Sequence, residues 1–142
     1  MKDGDIYKAW GKSLPGGDCY FESKDGYHWK RPLLRQREFE GSMENNLLAG
    51  GPNGTGFIDP HGPPEERYKA VGGTRQTLDV FKKFVEKHPG RWETRVLRGD
   101  WEDPEKFYSL RGAVSPDGLD WTTLSDPFGF EHTDGMESAY FV

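Results

Sequence analysis

Apolar and aromatic side chains fall along this chain in short runs broken by glycine, proline and aspartate, a spacing that predicts strands joined by turns. Ile6-Tyr7-Lys8-Ala9-Trp10 and Cys19-Tyr20-Phe21-Glu22-Ser23 are two such runs, and residues 27–32 follow as a third, completing a three-stranded meander. Residues 33–42 form a charged connector. Glu44-Asn45-Asn46-Leu47-Leu48-Ala49 predicts a short strand, and residues 50–56 a glycine-rich inner loop. Phe57-Ile58-Asp59-Pro60 reads as a strand end, since proline cannot donate within a central ladder. Arg67-Tyr68-Lys69-Ala70-Val71-Gly72 resumes the strand pattern. One stretch departs from it. Leu78, Phe81, Phe84 and Val85 are spaced as on one helix face, with Gly90 as a stop, which predicts a helical insert over 77–87. Residues 92–101 read as an extra hairpin, Phe107 takes up the strands again, and residues 136–141 form a last one.

Two repeats are superimposed on this pattern. Ser23-Lys24-Asp25-Gly26-Tyr27-His28-Trp29 and Ser115-Pro116-Asp117-Gly118-Leu119-Asp120-Trp121 share Ser-x-Asp-Gly-x-x-Trp, with the serines 92 positions apart. Each reads as a tight β-hairpin in which glycine supplies the positive φ and the serine bonds forward to the backbone. Tyr7-Lys8-Ala9 and Tyr68-Lys69-Ala70 match at a separation of 61. An insert between Val71 and the second serine turn accounts for the different offsets. Without it the period is about 60 residues, a little above the blade-sized repeats of propellers. The expected organisation is a partial blade over 1–35, and a blade over 43–72 plus 107–128 interrupted by an insert over 73–106. The first strand of a further blade follows over 133–142. Such a chain opens and closes inside a blade and leaves unpaired edges that invite self-association.

Composition narrows the class. Aromatics make up 14% of the chain, which argues against disorder despite 30% charged residues. The formal net charge of −5 leaves no basic face for nucleic acid, and no apolar run reaches membrane-spanning length. Met1-Lys2-Asp3-Gly4-Asp5 does not read as a signal peptide, and the lone Cys19 gives neither an internal disulfide nor a compartment. His28, His61, His88 and His132 lack metal-ligand spacing, so neither metal nor cofactor is indicated.

Ser-x-Asp-Gly-x-x-Trp, Glu44-Asn45-Asn46-Leu47-Leu48, Phe57-x-Asp59-Pro60 and Pro63-Pro64-Glu65-Glu66-Arg67-Tyr68-Lys69-Ala70 together resemble the five-bladed β-propeller glycoside hydrolases related to families 32 and 43. The resemblance implies an all-β fold: about two blades of four-stranded antiparallel meander, with a short helical insert. It also implies a carbohydrate substrate cleaved by paired carboxylates, one protonating the leaving oxygen and the other attacking the sugar or activating water. Asp59 then matches the supporting acid, with Ile58 in place of the family's arginine, and Glu137 the general acid, with Asp134 as a neighbouring alternative. The nucleophile or base would come from a blade that this stretch does not contain, so no hydrolysis is expected from it alone. Glu44, Asn45 and Asn46 either line the funnel and bind sugar hydroxyls or hold the start of a strand through side chain-to-backbone bonds. Trp29 and Trp121 are expected to pack between blades, with sugar stacking as the other use of such rings. A non-catalytic carbohydrate-binding or scaffold propeller would carry the same sequence features.

Overall fold

The computed structural model describes residues 1–52, 54–90 and 106–130. They form two four-stranded antiparallel sheets, each a simple meander, and one helix. The first sheet contains β1 (Lys2–Asp3), β2 (Ile6–Ser13), β3 (Gly17–Ser23) and β4 (Trp29–Lys30) in that order. The second contains β5 (Thr55–Ile58), β6 (Tyr68–Thr77), β7 (Lys106–Ser115) and β8 (Thr122–Thr123). The first sheet thus has four strands where the sequence pattern announces three. β1 is two polar residues pairing Lys2 with Tyr7 and Asp3 with Ile6, too short and too polar to show any alternation.

The two Ser-x-Asp-Gly-x-x-Trp corners occupy the same place, between the third and fourth strands of each sheet. Tyr7 lies opposite Ser23, and Tyr68 lies opposite Ser115. The bonding repeats atom for atom. Ser23 Oγ accepts from Gly26 N–H at 2.9 Å, and Ser115 Oγ from Gly118 N–H at 2.8 Å. Asp25 Oδ1 accepts from the Tyr27 and His28 amides, as Asp117 Oδ1 does from Leu119 and Asp120. Each tryptophan closes its corner by donating Nε1–H to the glycine carbonyl, at 3.1 Å from Trp29 and 2.9 Å from Trp121.

The fourth strand is broken in both sheets. β4 pairs only with Glu22 and Ser23, and residues 46–48 later return beside the remainder of β3. There Tyr20 N–H donates to the Asn46 carbonyl and Leu48 N–H to that of Asp18. The stretch 44–49 therefore forms an isolated bridge, Cys19 to Leu47, rather than a strand of its own. In the second sheet β8 pairs with Ala113 and Val114, and the chain then returns to Leu110 through Phe128 and Gly129.

The helix α1 (Leu78–Lys87) begins after an extended Thr77 and buries Phe81 and Phe84. They form a cluster with Phe107 of β7 and Phe130, flanked by Val80 and Val85. Asp79 in the first turn and Lys87 in the last suit the helix dipole. Ladder pairing of β6 with β7 continues as far as Thr77 opposite Lys106, so the two strands outrun the interruption expected over 73–106. Among the described residues no helix is long and apolar enough to cross a membrane. Residues 92–101 and 133–142 lie outside the described residues.

One glycine in each corner tests the repeat. Gly26 and Gly118 have φ of 80° and 83°, so alanine is strained at both, by roughly 1–2 kcal/mol. At Gly118 an added Cβ also meets Trp10 at 2.7 Å, whereas at Gly26 the nearest atom, on Tyr7, is 3.7 Å away. Gly118→Ala should therefore destabilise by a further ~1–3 kcal/mol over Gly26→Ala in urea titrations. Equal losses would contradict the packing described below.

Candidate functional site at the seam between the sheets

The sheets meet along β2 and the second corner. Trp10 projects from β2 and donates Nε1–H to the Gly118 carbonyl at 2.6 Å. Its ring lies edge-on to Trp121, with centroids 5.6 Å apart, and edge-on to Tyr68 at 6.1 Å. Lys8, two residues earlier on the same face, donates to the Tyr68 hydroxyl at 2.6 Å and to the Asp117 carbonyl at 2.9 Å. Asp3 completes the seam. It pairs with Arg67 at 2.6 Å and accepts the Tyr68 hydroxyl proton, with Lys8 3.4 Å away. Tyr68 thus both donates and accepts, and it is 2% exposed.

These contacts fix the charge states. Burial pushes the Asp3 carboxyl up, but the bonds from Tyr68, Arg67 and Lys8 outweigh it and hold the group below its ordinary value of 3.8. Tyr68 is driven upward, by burial first and then by the Asp3 carboxylate. A depressed carboxyl stabilises the fold above its unfolded pKa and loses that contribution as pH falls through its folded pKa. Asp3→Asn is therefore expected to lower stability by ~1 kcal/mol at neutral pH, the discount reflecting a partly exposed pair. The gap from wild type should close as the pH is taken below 3.8, read from melting temperatures of both proteins across acid pH. A gap that stays constant with pH would contradict the pairing.

Beside the seam lies a groove of about 500 Å³, lined by Lys8, Trp10, Lys12, Asp18, Gly54 and Gly56 among others. Its size falls within the range of roughly 300–1,000 Å³ usual for small-ligand sites. The glycine-rich loop makes the groove narrow by lying close. A Cβ on Gly51 would overlap the Asp18 side chain, and one on Gly54 the Val71 carbonyl, so only glycine lets the loop pass. Lys12 and Asp18, opposite each other on β2 and β3, pair at 3.0 Å on its first-sheet wall. Trp10, Lys8, Lys12 and Asp18 give the groove an aromatic surface, two ammonium donors and a carboxylate acceptor.

The residues singled out from sequence lie elsewhere. Asp59 sits just beyond β5, with Oδ2 2.7 Å from Lys69 Nζ and Oδ1 accepting from the His61 and Gly62 amides. The Lys69 bond, followed by the His61 amide, holds its carboxyl below the ordinary range. Glu44 is exposed and pairs with Arg35 at 3.5 Å. Asn45 bonds the Arg37 and Ser42 carbonyls and the Leu47 amide, which ties the returning loop to itself, and Asn46 bonds the Tyr20 carbonyl at 2.7 Å, which braces that loop against β3. None of these four lines the groove. Glu137 and Asp134 lie outside the described residues. Trp121 packs across the seam, and Trp29 is 43% exposed.

Comparison with protein-family models, curated proteins and solved structures finds no match to this chain. The site must be judged on its own chemistry. Lys8, Trp10, Asp18 and Tyr68 form the seam and groove, although from sequence Lys8, Trp10 and Tyr68 read as plain strand residues and Asp18 as the end of the loop after the first strand. The available signal was the repeat itself: directly after the matched Tyr-Lys-Ala, Trp10 stands where the second copy has Val71. Among the described residues, no cluster of His, Cys, Asp and Glu has the make-up to hold a metal ion.

Proposed function

We propose that this chain comprises two neighbouring blades of a glycoside-hydrolase-like, five-bladed β-propeller, recognises carbohydrate in the groove beside Trp10, and does not cleave it by itself. The observation that carries the reading is the pair of superimposable corners, set in two equal meanders that stack side by side. Blade-on-blade packing of a repeated four-stranded unit is how propellers are built. A glycosidase needs one carboxyl protonated near neutral pH, a role that Asp59, held below the ordinary carboxylate value by its bond to Lys69, does not fill. A second reading rests on Asp59. Pinned as an anion by Lys69, it suits the supporting role in a glycosidase whose general acid is Glu137 or Asp134.

Calorimetric titration of the chain with a panel of oligosaccharides, together with an aryl-glycoside assay, separates the two. The proposal expects saturable binding of at least one sugar, weakened severalfold by Lys12→Ala, and no turnover. Binding by no member of the panel would remove the carbohydrate reading. Turnover abolished by Asp59→Asn would replace it with the enzymatic one.

A further inference from the structure

We propose that the chain associates head to tail with a second copy of itself, the Asp59–Lys69 face of one molecule docking onto the Tyr7–Gly26 corner of the next. Each sheet has two faces of opposite kind. One presents an aspartate and a lysine, and the other a tyrosine beneath an Asp-Gly corner. Within the chain the first sheet's Asp3 and Lys8 are already seated on Arg67, Tyr68 and the Asp117 carbonyl of the second sheet. Among the described residues the complementary pair of faces meets no third sheet. Ladder position identifies Asp59 as the counterpart of Asp3: Asp3 pairs with Ile6, one residue before Tyr7, and Asp59 bonds Arg67, one residue before Tyr68. Lys69 lies 2.7 Å from Asp59, as Lys8 lies 3.4 Å from Asp3.

The receiving corner of the first sheet is correspondingly bare. Tyr68 is 2% exposed and Gly118 is buried beneath Trp10, whereas Tyr7 and Gly26 are only half-buried and Tyr27 is 87% exposed. Its charge is right for the incoming face. Asp3 meets Tyr68 where the Arg67 guanidinium lies over that ring at 5.2 Å, and the Lys2 ammonium lies over the Tyr7 ring at 5.5 Å. A cation above a tyrosine thus stands ready for Asp59, with the Asp25 carbonyl and Tyr7 hydroxyl available to Lys69. Val71 replaces Trp10, so the seam between molecules lacks the indole bond and is weaker than the one within the chain. Because the two faces differ, the contact is heterologous and propagates as an open filament of copies, since units of two blades cannot close a five-bladed ring.

Sedimentation velocity over a concentration series tests this. At ~100 μM a contact with a dissociation constant of ~10 μM leaves most molecules associated. Lys69→Ala disables one face and Lys2→Glu the other, so each variant alone is expected to sediment as a monomer. Mixed in equal amounts they are expected to form dimers and nothing larger, since each supplies the face that the other lacks. Circular dichroism of each variant checks that it is folded, and Lys69→Gln replaces Lys69→Ala should alanine lower the melting temperature. A monomeric wild type at ~100 μM, unchanged assembly of either variant alone, or a mixture that stays monomeric would each overturn the proposal.

Discussion

Trp10→Ala is expected to destabilise the fold by about 3 kcal/mol, the low end for removing a packed aromatic because the ring is partly exposed. Three aromatic neighbours lose their partner at once: Tyr20, Tyr68 and Trp121. The Gly118 carbonyl also loses a hydrogen bond made at 2.6 Å. The loss falls on the seam rather than on either sheet, because no ladder bond of β2 depends on the indole. A double-mutant cycle with Trp121→Ala should give a coupling of ~0.5–1.5 kcal/mol, as for other edge-to-face pairs. Additive losses in chemical denaturation would mean that the two rings do not share the seam.

Phe81→Ala should cost about 4 kcal/mol, by emptying the centre of a cluster that has little room to collapse. Phe81 stacks on Phe107 at 4.6 Å and meets Phe130 edge-on at 5.0 Å, and all three are buried. The cluster joins the helix to the far end of the β6–β7 hairpin, away from Trp10. The helical signal in circular dichroism should therefore fall first on heating, ahead of near-ultraviolet change from the seam tryptophans. Phe81→Leu keeps most of the volume and should cost less than about 1.5 kcal/mol. A helix that melts together with the seam in Phe81→Ala would contradict this separation.

How far the sequence could be read depended on whether the information was local. The Ser-x-Asp-Gly-x-x-Trp corners were legible because every bond that defines them lies within three residues. The helix was legible because Phe81 and Phe84 announce its buried face by spacing alone. β1 was not, since two polar residues have no period. The kinship of Asp3 and Asp59 was hidden by chain length. Asp3 lies four residues before Tyr7, and Asp59 nine before Tyr68, the difference being taken up by the loop that holds the 3-10 turn Pro64–Glu66. The seam was equally hidden, because Trp10 and Gly118 are 108 positions apart and only folding brings them together. Asp59 drew notice through its proline, a local mark, and the groove drew none because its walls come from two sheets.

The interruption of the fourth strand gives the molecule freedom of another kind. Both ends of the break are anchored separately on β3, at Glu22–Ser23 and at Asp18–Tyr20, so the length of chain between them is not set by the sheet. At its tip Glu40 and Gly41 are exposed with positive φ, and the neighbouring backbone bonds join only Phe39 to Ser42. A foreign epitope spliced between Glu40 and Gly41 would lengthen a span already closed at its base, at an entropic cost that grows only slowly with added residues.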